Sequence, residues 1–554
     1  MKKNSFVEGT FIATFAIILI KILGALYVIP FYRIIGEDGG ALYSYAYNVY
    51  NLFLNISTAG LPVAISKIIS EYNALEMYET KERAYKICRN VMTIISCIAF
   101  FLVFVFAEEF AVLIIGNIEG GNSIRDIGFC IRSVSFCLLI IPFLSATKGY
   151  LQGHKFIAPS STSQIIEQIV RIAIILMGSY ITINILHRSV STGVAIAISG
   201  AFFGGLAAYI YLKIKIKKNE KLFIKTKGKE EPKVKDKEIV KKIITYAIPL
   251  IIVSIAIDIY SLTDMSLIIR GLYFLGYSAE ESEIISSIIA TWGTKICMII
   301  NSVSIGLGVS LIPHMVSYYV KNNIKELNKK FIQAIGIIIV TALPMAVGLS
   351  ILSEPVYTLF YGASEYGGAI LKFLVYSAFA ASLHMTINMT LQSLNKFKIV
   401  YLNTILGFVT NAVLDIPLMI LFHNIGIPAY YGAIAATLTG YSLSFFLALS
   451  SLKKELTFTY RPIVNILKKE AISIISMILV LLLLNQIMPI RSDSTLNIII
   501  VCGTYGVVGA VTYLLISYKN KLLYDVFGEN YVNNIIKKIT RKRAWHVFFL
   551  NCNA

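Results

Sequence analysis

The stretch that decides the fold is Gly9 to Pro30, GTFIATFAIILIKILGALYVIP. At 1.5 Å per residue, about 20 apolar residues cross the hydrocarbon core of a bilayer, so this stretch can span one. Lys21 interrupts it. The lysine stands about 12 residues in, roughly 18 Å from the start at the helical rise. A lysine at that depth costs a few kcal/mol unless it faces water or protein. Two readings stand. Either the helix tilts and Lys21 snorkels to the surface, or Lys21 lines an internal cavity. Its depth weighs against snorkelling. A cleavable signal peptide does not fit, because the run is too long and lacks a small-residue cleavage site.

The rest of the chain has the same character. Of 554 residues, 56% are hydrophobic and 15% charged, where a soluble domain carries roughly 25% charged residues. Mean hydropathy is +0.73. Scanning for apolar runs of membrane length gives fourteen predicted spans, centred on 10–35, 41–69, 90–116, 127–150, 160–187, 190–212, 243–270, 284–319, 331–361, 367–394, 398–422, 429–452, 464–488 and 495–517. Such long continuous runs exclude a β-barrel, whose strands alternate over about 10 residues. The fold class is an all-α polytopic membrane protein. The seven cysteines form no CxxC pair and lie mostly inside apolar runs, so they read as small membrane-helix residues.

The net charge of +19 raises the question of nucleic acid. Its placement answers it. Lysine and arginine crowd alternate loops, above all 213–242, with thirteen lysines against five acids. The intervening loops, such as GEDGG at 36–40 and YSAEESE at 277–283, are short and poor in bases. That alternation is the topological signature of a cytoplasmic-membrane protein with both termini in the cytoplasm, so no nucleic-acid partner is needed.

Two short matches recur six spans apart. Asn55, Gly60, Leu61 and Val63 match Asn301, Gly306, Leu307 and Val309, and Leu151-Gln152 matches Leu391-Gln392. Six is even, so the copies share one orientation, a parallel repeat about an axis along the membrane normal. The expected organisation is an N-lobe at 1–212, a basic linker at 213–242, a C-lobe at 243–452, two further spans within 453–518 and a basic tail at 519–554.

Intramembrane polar residues concentrate in a few spans. Beside Lys21 stand Asn48, Asn51 and Asn55, then Glu167 and Arg171, then Asp258 and Asp264, then Lys295 and Asn301, then Asn411 and Asp415. Glu167 and Arg171 are four apart and can pair along one helix face. Each group has a bland alternative: asparagines as interhelical glue, Glu167–Arg171 as a self-neutralising pair, Asp264 and Arg270 near the outer water. Taken as a set, isolated charges in lipid are too costly, which favours a polar cavity. Lys21, Arg171 and Lys295 suit an anionic group such as a diphosphate. Asp258, Asn411 and Asp415 suit a small hard cation. No GxSxG, Walker A or HExxH motif occurs, so nothing points to an enzyme.

Three blocks carry a resemblance: GTFIATFAIILIKILGALYVIPFYRIIG at 9–36, LYSYAYNVYNLFLNISTAGLPVAISKIISEYN at 42–73 and GYLQGHKFIAPSSTSQIIEQIVRI at 149–172. Together they resemble the multidrug/oligosaccharidyl-lipid/polysaccharide (MOP) exporter superfamily, in the branch of stage V sporulation protein B and the MurJ-type lipid II flippases. The resemblance implies two six-helix lobes around a cavity and two additional helices forming a lipid-facing groove. It implies alternating access that moves an undecaprenyl-diphosphate-linked sugar, lipid II or a related cell-wall precursor, by a protein acting as a monomer. Lys21 and Lys295 match basic cavity positions. Further arginines of the family are absent, with Tyr27 and either Leu54 or Asn55 in their places. Some relatives carry a sodium site, onto which Asp258, Asn411 and Asp415 fall, with Thr437 as a fourth ligand. The alternative function is a cation-coupled multidrug exporter of the same superfamily, against which the last two spans argue.

Overall fold

In the computed structural model, the described residues are 12, 15–16, 19–20, 23–24, 26–58, 60–116, 118, 120–223, 232, 234–456, 459–490, 494–529 and 532–533. Lys21 lies outside them. The described chain is helical, and eleven of its helices are long and apolar enough to cross a bilayer. The protein is a multi-pass membrane protein.

Several predicted spans are built from two helices, and the sequence shows why. The second span is α1 (Val28–Thr58) followed by α2 (Leu61–Ala74). Gly60 between them takes a left-handed φ of 72°, and Pro62 opens the new helix, where its missing N–H costs nothing. α1 itself turns at Gly36, φ 71°. The third span is α3 (Tyr78–Val105) and α4 (Ala107–Ile115), and the fourth is α5 (Ile124–Ser135) and α6 (Cys137–Gly153). α7 (Ile157–Ala173) runs on through π-helical turns to Ile185, and α8 (Val190–Lys218) returns. The seventh span is α9 (Asp236–Phe274), 39 residues long. The eighth is α10 (Ala279–Ser287), a π turn at Ile288–Trp292 and α11 (Gly293–Val320). Then come α12 (Ile324–Ile351), α13 (Ser353–Tyr361), α14 (Gly367–Ser393), α15 (Phe397–Asn424), α16 (Tyr430–Leu456), α17 (Arg461–Ile487), α18 (Thr495–Lys519) and the short α19 (Leu522–Phe527).

Packing divides the chain into two compact units. The first comprises 1–292 with 415–432. Its aromatic centre is Trp292, fully buried and edge-on to Tyr32 at 4.8 Å. Gly40 makes room for both rings, since a Cβ there would sit 2.8 Å from Tyr32 and 3.0 Å from the indole nitrogen. On the side of the basic loops, Phe223 packs into a core with Tyr150, Phe156 and Ile239. Lys81, 1% exposed, fastens this turn by donating to the Phe223 carbonyl at 3.1 Å.

The second unit comprises 293–414 with 433–554. α11 and α14 lie close along their length. Gly308 faces Met389, and Ser304 donates to the Ser382 carbonyl at 2.9 Å. α17 and α18 pair with each other, and α17 also packs on α12. An apolar cavity of about 660 Å³ lies among α12, α14, α16 and α17, walled by Ile335, Ile339, Phe379, Leu438, Phe445 and Leu467.

Candidate substrate site

Within the first unit, the site begins with a close helix contact. Gly204 of α8 sits against α7 so tightly that a Cβ would lie 2.5 Å from the Glu167 carbonyl and 3.2 Å from Arg171 Cβ. At Gly200, one turn away, a Cβ would lie 2.9 Å from the Arg171 carbonyl oxygen. These glycines seat the Glu167–Arg171 turn against its neighbour.

The two ionised groups on that turn do not neutralise each other. Glu167 accepts from Lys148 Nζ of α6 at 2.8 Å. Helical spacing allows Glu167 to pair with Arg171, the self-neutralising alternative to a place in a cavity. Lys148 prevails because its short path across the α6–α7 hairpin places an ammonium directly on the carboxylate. Arg171 is left with no ion pair among the described residues. What surrounds it is phenolic: Tyr27, Tyr43, Tyr47 and Tyr50 lie within its electrostatic reach. The last three recur at one-turn intervals, which puts them on one face of α1. Tyr43 stacks on Tyr47 at 5.6 Å and hydrogen-bonds Tyr27. A guanidinium in such a collar keeps its fork of donors for an incoming anion. Spacing made Arg171 a candidate. Its collar comes from a distant helix and was not read in advance.

The three asparagines of α1 have separate surroundings. Asn48, 8% exposed, donates to Thr291 Oγ1 at 3.1 Å and accepts from Ser261 at 3.1 Å. Asn55 donates to Asp258 Oδ2 at 2.7 Å. Asn51 is half-buried. With Ser44 against Thr291 at 2.5 Å and the Trp292 indole donating to the Gly40 carbonyl at 3.1 Å, a seam of neutral groups joins α1 to α9 and the following π turn. Near one end of it, Glu283 accepts from the Asn122 backbone at 3.0 Å and from its side chain at 2.6 Å.

The acidic candidates are distributed differently from expectation. Asp415 is fully buried, neither of its carboxyl oxygens has a hydrogen-bond partner among the described residues, and Asp264, itself 6% exposed, is its electrostatic neighbour. A buried carboxyl with no donor beside another acid is costly to leave bare, and a cation would answer it. A place near the outer water was one alternative for Asp264 and Arg270. Arg270 does reach a surface, donating to the Leu113 carbonyl at 2.7 Å, whereas Asp264 turns inward. Asp258 has Asn55 as its partner. Asn411, also buried, precedes Asp415 by one turn of α15. No group of three or more His, Cys, Asp or Glu side chains converges among the described residues.

In the second unit, Asn301 accepts from Ser382 at 2.9 Å, and Thr437 donates to its own helix at the Ala433 carbonyl. Lys295 is half-buried on α11. Asn388, Asn403, Thr404 and His384 form an amide network between α14 and α15.

Known proteins give this arrangement its context. Residues 6–277 match the family described as polysaccharide biosynthesis protein, and residues 285–416 match MatE. The lipid II flippase MurJ of Bacillus subtilis (strain 168) is 31% identical over 538 residues, covering 95% of this chain and 97% of the relative. Stage V sporulation protein B of the same organism is 28% identical over 224 residues, covering 40% of this chain and 41% of its own. Among solved structures, a lipid II flippase MurJ in an inward closed conformation superposes with TM-score 0.63 at 16% identity, covering 93% of this chain and 99% of that one. An inward-facing multidrug-resistance MATE transporter of the MOP superfamily gives 0.64 at 14% identity, covering 79% and 94%. These relatives are transporters rather than enzymes. With identity above 30% along nearly its whole length, the chain belongs to the MurJ-type lipid II flippase family of the MOP exporter superfamily.

Proposed function

We propose that this flippase carries an undecaprenyl-diphosphate-linked sugar, lipid II, from the inner to the outer leaflet of the cytoplasmic membrane by alternating access. The observation that carries the reading is Arg171: a cation inside a membrane helix bundle, with four phenols in its electrostatic reach and no ion pair among the described residues. A diphosphate supplies the charge such a group lacks, and a guanidinium meets it with two parallel hydrogen bonds. The alternating basic loops support termini in the cytoplasm.

For a coupling ion, we assign the Asp264–Asp415 pair in preference to Asp258, whose carboxylate is taken by Asn55. Oxygen donors of this kind suit sodium. The test is complementation. A strain depleted of its lipid II flippase should grow when given this chain, and should not when given Arg171→Ala at equal membrane abundance. Failure of the unaltered chain to rescue, despite good expression, would overturn the substrate assignment and favour the multidrug reading.

A further inference from the structure

Pro344 sits inside α12, and proline carries no N–H. The carbonyl four residues earlier, that of Val340, therefore loses its helical donor. Tyr513 of α18 fills the gap, its hydroxyl 2.8 Å from the Val340 oxygen. The same hydroxyl lies 2.7 Å from Oε2 of Glu470 on α17. Glu470 is 1% exposed, and its Oε1 has no hydrogen-bond partner among the described residues.

A phenol has one proton to give. Were Glu470 ionised, Tyr513 would have to donate to it. The Val340 carbonyl would then be orphaned in an apolar setting, and Oε1 would carry charge without a donor. Were Glu470 a neutral acid, it would donate to the Tyr513 oxygen, and Tyr513 would donate to Val340. That chain satisfies both the phenol and the freed carbonyl. We propose that Glu470 is a proton-binding site whose proton completes the chain Glu470–Tyr513–Val340, tying α17 and α18 to α12, and that losing it loosens the helix pair. The proton leaves as hydronium and the carboxylate stays behind, with no other reactant.

The neighbouring charges do not substitute for the proton. α18 presents Tyr513, and α12 presents the Val340 carbonyl. On α19, Asp525 is ion-paired with Lys469 at 2.5 Å, so the two charges beside this cluster answer each other. Asn520 donates to the Lys469 carbonyl and to Ser473, and adds no charge. α12 and α17 also wall the apolar cavity through Ile339 and Leu467, so the clamp bears on its shape whatever that cavity holds.

The test uses the full chain in nanodiscs. Infrared spectra of wild type minus Glu470→Gln should contain a protonated-carboxyl carbonyl band at neutral pH, and that band should shift in Tyr513→Phe. Hydrogen exchange in α17 and α18, corrected for intrinsic rate, should rise about fivefold in the wild type as the band disappears at alkaline pH, the equivalent of one net hydrogen bond. Glu470→Gln, whose amide donates as the acid does, should stay flat. Absence of a Glu470-dependent band at neutral pH, or a Gln variant that tracks pH like the wild type, overturns the proposal. If the Gln variant does not fold, a carboxyl band that is unmoved in Tyr513→Phe does the same.

Discussion

Replacing Arg171 by alanine should weaken the binding of a polyprenyl diphosphate by about two orders of magnitude and leave the fold standing. Glu167 is already held by Lys148, so removing the guanidinium breaks no ion pair among the described residues. What is lost is the attraction offered to the ligand. Two charge-assisted hydrogen bonds at about 1.5 kcal/mol each, the low end for a half-buried group, sum to about 3 kcal/mol, which at 1.4 kcal/mol per decade is about 100-fold. Arg171→Lys keeps the charge but loses the fork, and should cost about tenfold. The assay is titration of undecaprenyl diphosphate into purified protein in nanodiscs, with the monophosphate for comparison and thermal unfolding as the control on structure. An alanine variant that melts like the wild type and binds within about threefold of it, less than ~1 kcal/mol, refutes the assignment of Arg171 as the anion-binding group.

Asn55→Ala should lower thermal stability by about 1–3 kcal/mol, because Asp258 loses its donor; adding Asp258→Ala should recover part of that loss, a coupling that a double-mutant cycle reads directly. Gly204→Ala should cost about 1–3 kcal/mol and also weaken diphosphate binding, since its Cβ meets backbone at 2.5 Å, whereas Gly205→Ala, which meets only the tips of Ile140 and Ile141, should be milder in both assays.

The spans were legible because apolar length and loop charge act locally along the chain. The span predicted over 41–69 is unbroken, whereas Gly60 and Pro62 part it into two helices: apolar length marks a span but not its breaks. The site was harder. Arg171 stood out as a charge in an apolar run, yet its partners did not. Helical spacing offers Glu167, but Glu167 is taken by Lys148, nineteen residues before it, and Arg171 has no ion pair among the described residues. Asp264 and Asp258 look alike on the page, six positions apart in one helix. Only packing shows that the first neighbours Asp415 and the second meets Asn55. Tertiary contacts between polar groups leave no periodic trace in a sequence, so the chemistry of the carboxyls had to come from coordinates.

Apart from the Asn55–Asp258 contact, the seam between α1 and α9 is made of hydroxyls, amides and an indole, and that choice of fasteners has a mechanical meaning. Each such bond nets only about 1 kcal/mol, because both of its ends are nearly as well served by water. An intruding solvent molecule can therefore take over one rung at a time without stranding a charge, which for a buried ion pair would cost several kcal/mol. A joint of this kind grips when dry and parts when wetted, so hydration can work it like a ratchet of small steps.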